Sequence, residues 1–504
     1  MKWRRLALRL FTLVLGVQAF SLCAFAQTRA TQMRVVALPG KSPVVELRVV
    51  FTTGGARDPE DKPGLARLTA EMLAGGGSKD LTYNQIVDAF FPMATSVGSQ
   101  VDLEMTTFSG ATHVDNLDAY YKLFRAMLLD PGWREDDFKR LKDSAINSLR
   151  VGLRGNNDEE LGKEVLLSEL YRGTPYGHYG GGSISALQKL TIDDVKQFYK
   201  QHYTQSNVIL GIAGGYTPEF LERVKKDFGA LPPNDSSPAL AIHPPAIEHT
   251  RATIVEKNTR SVAYSFGFPI DVKRGDPDYP ALLVMQSYFG QHRSSGGRLY
   301  QRIREIRGIN YGDYDYIEYF PRGGNLMEPP PNVARSSQAF QIWIRPAEPP
   351  QAAFTLRLAV FELNKLIKDG IPQEDFDRTK EFLSKFVNVL TKTKRAELAY
   401  AIDSMYYGIP NYNAYVKDAL TKLTRDQVNA TIRKHLRSDR MVIVAVTDHA
   451  ADLKRQIVGA GPSAIEYNSP KPAEILAEDK IVGAFDIGLR PEDVEIVPVE
   501  KVFQ

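Results

Sequence analysis

A chain of 504 residues, 43% hydrophobic and 24% charged, holds enough apolar sequence for about two to four folded units, which excludes a disordered or fibrous protein. Its 63 basic and 60 acidic residues nearly cancel and form no basic run, which excludes an electrostatic nucleic-acid footprint. A single cysteine excludes a disulfide framework.

The first 26 residues read as a secretory signal peptide. Lys2, Arg4 and Arg5 form a charged start, residues 6–20 an apolar stretch interrupted by Arg9, and Ala24-Phe25-Ala26 a small-x-small cleavage site. Cleavage there removes Cys23 and four positive charges, taking the net charge from +3 to −1. Lipidation at Cys23 is the weaker alternative, because Leu22 stands where a small residue is wanted. Export across the inner membrane to the periplasm is expected, with no stable membrane span left after cleavage.

Val45, Leu47, Val49 and Phe51 alternate with Glu46, Arg48 and Val50, the period-two pattern of a strand with one buried face. Gly54-Gly55 breaks it. The run Asp61-Lys62-Pro63-Gly64 reads as a helix start, and Leu65, Leu68 and Met72 share one side of a helix that stops at Gly75-Gly76-Gly77. The glycine runs at 75–78 and 180–183 do not fit a phosphate-binding loop, which needs Gly-Lys-Ser/Thr after four residues, and read as turns.

Two stretches repeat. Residues 190–195 leading to His202 and residues 423–428 leading to His435 both read L-T-x-D-x-V-x6-H, 233 residues apart, and each opens with a capping box, Thr191 with Asp194 and Thr424 with Gln427. Strands are expected after them, at 207–213 and 441–446. A second echo, Gly132 through Asp137-Phe138, Arg140 and Lys142, returns as Gly370 through Asp375-Phe376, Arg378 and Lys380, at a spacing of 238. Two matches at nearly one offset imply an internal duplication. The proline-rich run 231–250 reads as the linker between a first lobe at 27–230 and a second at 251–460. Glu328-Pro329-Pro330-Pro331 reads as an exposed loop, and residues 461–504 as a tail with a short strand at 494–497 that packs on the body or on another subunit.

The segment Gly54-Gly55-Ala56-Arg57-Asp58, with residues 64–73 and Gly76-Gly77-Ser78, resembles the first strand and helix of the pitrilysin/insulinase-type zinc peptidases. The resemblance covers about residues 33–458 and implies an α+β fold of two homologous lobes, each a mainly antiparallel sheet layered with helices. In that family the helix carries H-x-x-E-H, two zinc-binding histidines one turn apart and a glutamate that serves as base. Here Arg67, Ala70 and Glu71 stand at those three positions. Glu164, before Tyr171 and Pro175-Tyr176-Gly177, matches the family's third zinc ligand; read by itself it is a solvated helix charge. No two of the eight histidines are four apart, and His243 and His249 flank Pro244-Pro245, so no replacement motif is visible.

Residues 297–311 resemble the family's second-lobe signature, in which several members carry an arginine and a tyrosine seven apart facing the zinc across the cleft. Arg304 and Tyr311 match them, on an expected helix at 298–307 and at the start of a tyrosine-rich strand; by composition alone they are a surface arginine and a strand tyrosine. A guanidinium and a phenol can both donate hydrogen bonds to a carbonyl that is becoming an oxyanion. In two-subunit members the two chains divide the site in this way. The expectation is therefore a chain with no metal of its own, acting on an extended peptide beside a homologous zinc-bearing subunit. The alternatives are a purely structural or binding homologue, and a peptidase with unrecognised ligands.

Overall fold

The computed structural model describes residues 33–504 other than 236, 322 and 460; the expected signal peptide lies outside them. Five strands form the first sheet: β1 (Arg34–Pro39), β2 (Val44–Phe51), β3 (Gly98–Val101), β4 (Thr106–His113) and β5 (Val208–Gly214), in the order β1-β5-β2-β4-β3. Only β1 and β5 are parallel; the other neighbours are antiparallel. The second sheet holds β6 (Arg251–Glu256), β7 (Val262–Ile270), β8 (Asp313–Tyr316), β9 (Gln338–Ala347), β10 (Val442–Thr447) and β11 (Val494–Pro498), in the order β11-β6-β10-β7-β9-β8. Without β11 the second order repeats the first strand for strand, and its single parallel pair, β6 with β10, falls in the same place. The topology is thus a duplication, in an α+β architecture of two lobes. Both capping boxes of the repeated segment are present, on the helices Ile192–His202 and Arg425–His435.

Each sheet is apolar on both faces, and the two halves supply the second face to one another. In β10, Ile443 and Ala445 pack into the core of the second lobe, while Val442, Val444 and Val446 meet Leu161, Leu166 and Leu149 from the first half. Leu161 and Leu166 belong to the helix Asp158–Leu170, which lies across β7 and β10, and Leu149 to the π-helical turn Ser148–Gly155 before it. In return the helix Lys394–Tyr407, 236 residues later, lies across β1, β2 and β5, where Leu398 and Ile402 meet Val36, Val50, Ile209 and Ala213. The alternation in β2 places Val45, Leu47, Val49 and Phe51 in the first core, and the buried Val50 on the face that this exchanged helix covers.

Between Leu231 and Thr250 the described residues form neither helix nor strand. The expected strand at 494–497 is β11, added in parallel to the edge strand β6. The loop at 328–331, read from sequence as exposed, is a correction: Glu328 is buried, all three prolines are half-buried, and the next residue, Asn332, is wholly buried. Asn332 adopts a left-handed φ of 64° and donates from its backbone and side chain to Asp403 at 2.8–3.1 Å, which polar side chains tolerate better than apolar ones.

Candidate functional site

The cleft between the lobes is organised by the helix Leu65–Gly75. Its start is capped from a distance, not by the local run at 61–64. Asp58 accepts from the backbone N–H of Gly64 at 2.6 Å and of Ala66 at 2.7 Å, placing a carboxylate at the positive end of the helix. Burial raises the Asp58 pKa; His178, 3.5 Å away, and the two amides oppose it. Gly64, the residue before the helix, has a φ of 96°, and a side chain there would stand 2.9 Å from Gly182. The glycine run at 180–183 therefore serves close backbone approach to this helix.

Leu65, Leu68 and Met72 are buried in the first core, as their spacing implies, and Ala70 is wholly buried with them. Arg67 and Glu71 face the cleft. Arg67 Nε donates to Glu71 Oε1 at 2.9 Å, with the two side chains 25% and 24% exposed. The guanidinium also hydrogen-bonds the Tyr179 hydroxyl. Burial works against the charge of Arg67, but Glu71 and Tyr179 outweigh it and hold its pKa above the ordinary value. A side chain at Gly181 would lie 2.3 Å from the Tyr179 ring and 3.0 Å from the guanidinium, so glycine is what allows this contact.

Glu164 projects from the helix Asp158–Leu170 into the same cleft, which encloses about 730 Å³. Tyr319 donates its hydroxyl proton to Glu164 Oε1 at 3.0 Å. Burial, together with Glu160, pushes Glu164 up to about 7, against Arg335 and the tyrosine, which pull it down. The structure thus brings Arg67, Glu71 and Glu164 onto one cleft, with Arg67 paired to Glu71 and Glu164 bonded to Tyr319.

The opposite wall is the connection between β8 and β9, from which Tyr319, Pro321, Leu326, Pro330, Val333 and Arg335 face inward. Arg335 grips Asp102 of the first lobe through two bonds of 2.8 and 2.6 Å, both side chains only 5% exposed, and its guanidinium stacks 3.4 Å from the Tyr319 ring centroid. Ser336 donates its N–H and hydroxyl to Glu104 at 2.9 and 2.5 Å. Sequence reading missed this anchor. Its one visible signal was length: the equivalent connection in the first half, β3 to β4, spans only residues 102–105, whereas β8 to β9 spans 317–337.

Arg304 and Tyr311 lie elsewhere on the second lobe. The expected helix at 298–307 is a single α-turn, Arg298–Tyr300, continuing as a π-turn, Gln301–Glu305, and Tyr311 precedes β8 instead of opening it. Arg304 Nη1 donates to the Tyr311 carbonyl at 3.3 Å, and its guanidinium lies between two rings, 4.4 Å from Tyr311 and 4.9 Å from Tyr300. With Tyr311 72% exposed, the pair lines an open depression of about 510 Å³ together with Asn310 and Pro346, apart from the interlobe cleft.

The residues that the sequence resemblance sets at the family's zinc positions do not fit a zinc ion. Arg67 is a permanent cation, Ala70 offers only a methyl group, and Glu71 is committed to Arg67. A dication placed there would be repelled by the guanidinium. Among the described residues, no group of three or more His, Cys, Asp or Glu side chains is arranged to hold a metal ion.

Two family models match the chain: "Insulinase (Peptidase family M16)" over residues 34–179 and "Peptidase M16 inactive domain" over residues 189–383. A "Non-peptidase homolog YmxG" from Helicobacter pylori is 22% identical over 88% of this chain and 99% of its own length. Among solved structures, a peptidase M16 inactive domain from Pseudomonas fluorescens is 24% identical with a TM-score of 0.70, covering 83% of this chain and 96% of that one. The first half of the periplasmic protease PqqL from Escherichia coli has a TM-score of 0.65 at 16% identity, covering 90% and 95%. The fold and the degenerate helix define an inactive-type two-lobed peptidase homologue. The chain belongs to the insulinase family, peptidase family M16.

Proposed function

We propose that this chain is an exported, periplasmic subunit that cannot hydrolyse peptides alone and completes the site of a homologous zinc-bearing subunit, holding an extended peptide and supplying Arg304 and Tyr311 to its scissile carbonyl. The observation that carries the reading is a contrast. The helix that would hold a metal is closed by the Arg67–Glu71 ion pair, while the Arg304–Tyr311 pair stays open to solvent, outside the chain's own cleft. A phenol and a guanidinium presented outward can meet a second chain. The PqqL neighbour, whose solved part is half of a protease, supports a site divided between two such bodies.

The purified chain should carry no stoichiometric zinc and cleave no peptide, since nothing at 67, 70 or 71 can activate water. Metal content by mass spectrometry and a chelator-sensitive cleavage assay check this; stoichiometric zinc with proteolysis would favour unrecognised ligands instead. In a complex reconstituted with an H-x-x-E-H homologue, the double change Arg304→Ala, Tyr311→Phe should lower turnover on the order of 100-fold, the usual consequence of losing an oxyanion donor. Unchanged turnover would leave the purely structural reading.

A further inference from the structure

The segment after the second sheet returns to the first lobe and ends behind the wall of the cleft. β11 pairs with β6 from Val494↔Ala252 to Pro498↔Glu256, which fixes one end of the segment to the second lobe. A short turn, Val499–Lys501, then carries it across. Beyond the turn every residue is engaged. Val502 is buried in the core shared by the lobes, and its carbonyl accepts from Arg154 Nε at 2.5 Å. The Phe503 carbonyl accepts from the Ile184 N–H at 3.0 Å. Gln504 accepts from Ser185 Oγ through its backbone oxygen at 2.8 Å and from Arg154 through its side chain at 3.3 Å. Phe503 itself has a left-handed φ of 52°, uncommon for a bulky residue, and that turn lays its ring on Tyr179, centroids 5.0 Å apart and planes at 27°.

Tyr179 is the residue whose hydroxyl binds Arg67, and its other neighbours leave it little freedom: Gly181 lies against its ring, and Gly182 N–H donates to its carbonyl at 2.8 Å. We infer that residues 494–504 form a strap which ties the two lobes together and holds the wall at 179–182 closed over Arg67, so that access to the degenerate helix is governed by whether the strap is docked. The strap has a fixed end, a β-strand on one lobe, and a releasable end on the other, where a stacked ring, three hydrogen bonds from Arg154 and two from residues 184 and 185 hold it. A peptide or partner chain that displaced residues 502–504 would free Tyr179 and uncover the Arg67–Glu71 pair without disturbing either sheet.

Three variants of the full chain test it: Phe503→Ala, Arg154→Ala and deletion of 499–504. Hydrogen exchange of the segment 179–187 should accelerate at least tenfold in each, with β2 and β5 unchanged, and Arg67 should react several-fold faster with phenylglyoxal, read by peptide mass. If the deletion variant does not fold, Phe503→Ala decides alone, because it removes only the stacked ring. Unchanged exchange at 179–187 and unchanged Arg67 labelling in a folded Phe503→Ala variant overturn the strap.

Discussion

Arg67 and Glu71 are each about a quarter exposed, which makes their pairing worth more than a surface ion pair but leaves part of each charge in water. Removing one partner alone strands the other beside buried walls. Arg67→Ala is expected to destabilise the chain by roughly 1–3 kcal/mol, and the double change Arg67→Ala, Glu71→Ala by less, because no orphan charge remains. Thermal unfolding of the two variants checks this; a single change no worse than the double would mean that the pair is merely solvated. Glu164 gives a separate signature. Its folded pKa of about 7 lies above the ordinary value of 4.5, so the folded state binds the extra proton. Its stabilising contribution is complete below about pH 4.5 and is lost as pH rises through 7. Glu164→Gln should therefore leave stability near pH 4.5 almost unchanged and raise it above that of the native chain at pH 8. Glu328, also pushed up to about 7 by burial, keeps part of the slope in place. Equal pH dependence of denaturant midpoints in native and variant protein would remove Glu164 as its source.

The helix Leu65–Gly75 shows what an element owes to residues outside it. Asp58→Ala should cost about 1–2 kcal/mol, since the side chain capping its first turn is lost, while Asp58→Asn, which keeps one acceptor, should recover part of it. Gly181→Ala should be destabilising by roughly 1–3 kcal/mol, because a methyl group 2.3 Å from the Tyr179 ring must displace either the ring or the backbone. Chemical denaturation midpoints test both. The same helix marks the limit of sequence reading. Its apolar face, its end at Gly75-Gly76-Gly77 and the capping boxes at Thr191 and Thr424 were legible because each is a local pattern at fixed offsets. The cap from Asp58 was not, since it reaches across a loop from six residues upstream. Nor was the Arg335–Asp102 anchor, whose partners are 233 residues apart; composition shows that an arginine exists, not which carboxylate it finds. The strands β5 and β10 were expected from sequence, but nothing in their continuous apolar runs names the covering helix, which comes from the other half.

At the scale of the molecule, that exchange decides how the duplicated halves depend on one another. Arg335→Ala should cost roughly 3–5 kcal/mol, because Asp102 would be left buried and unpaired between the lobes. The larger effect concerns the halves themselves. A first half expressed alone, residues 27–240, would have the face of its sheet formed by Val36, Val50, Ile209 and Ala213 open to water, since Leu398 and Ile402 belong to the other fragment. It would also expose Leu161 and Leu166 on the helix Asp158–Leu170, and Leu149 just before it, with no sheet beneath them. Residues 241–504 would carry the mirror defect on β10. Each apolar side chain left uncovered forfeits about 1.5–3 kcal/mol, so a few of them exceed the whole stability of an ordinary domain. Neither fragment should unfold cooperatively alone, although each carries a complete sheet and the chain between them is an irregular linker. Co-expressed, the two should reassemble as a 1:1 complex through the exchanged helices Asp158–Leu170 and Lys394–Tyr407, with thermal unfolding close to that of the intact chain. Size exclusion and near-ultraviolet circular dichroism read the outcome. A monomeric, cooperatively unfolding 27–240 fragment would show that the exchanged helix decorates the sheet and does not complete its core.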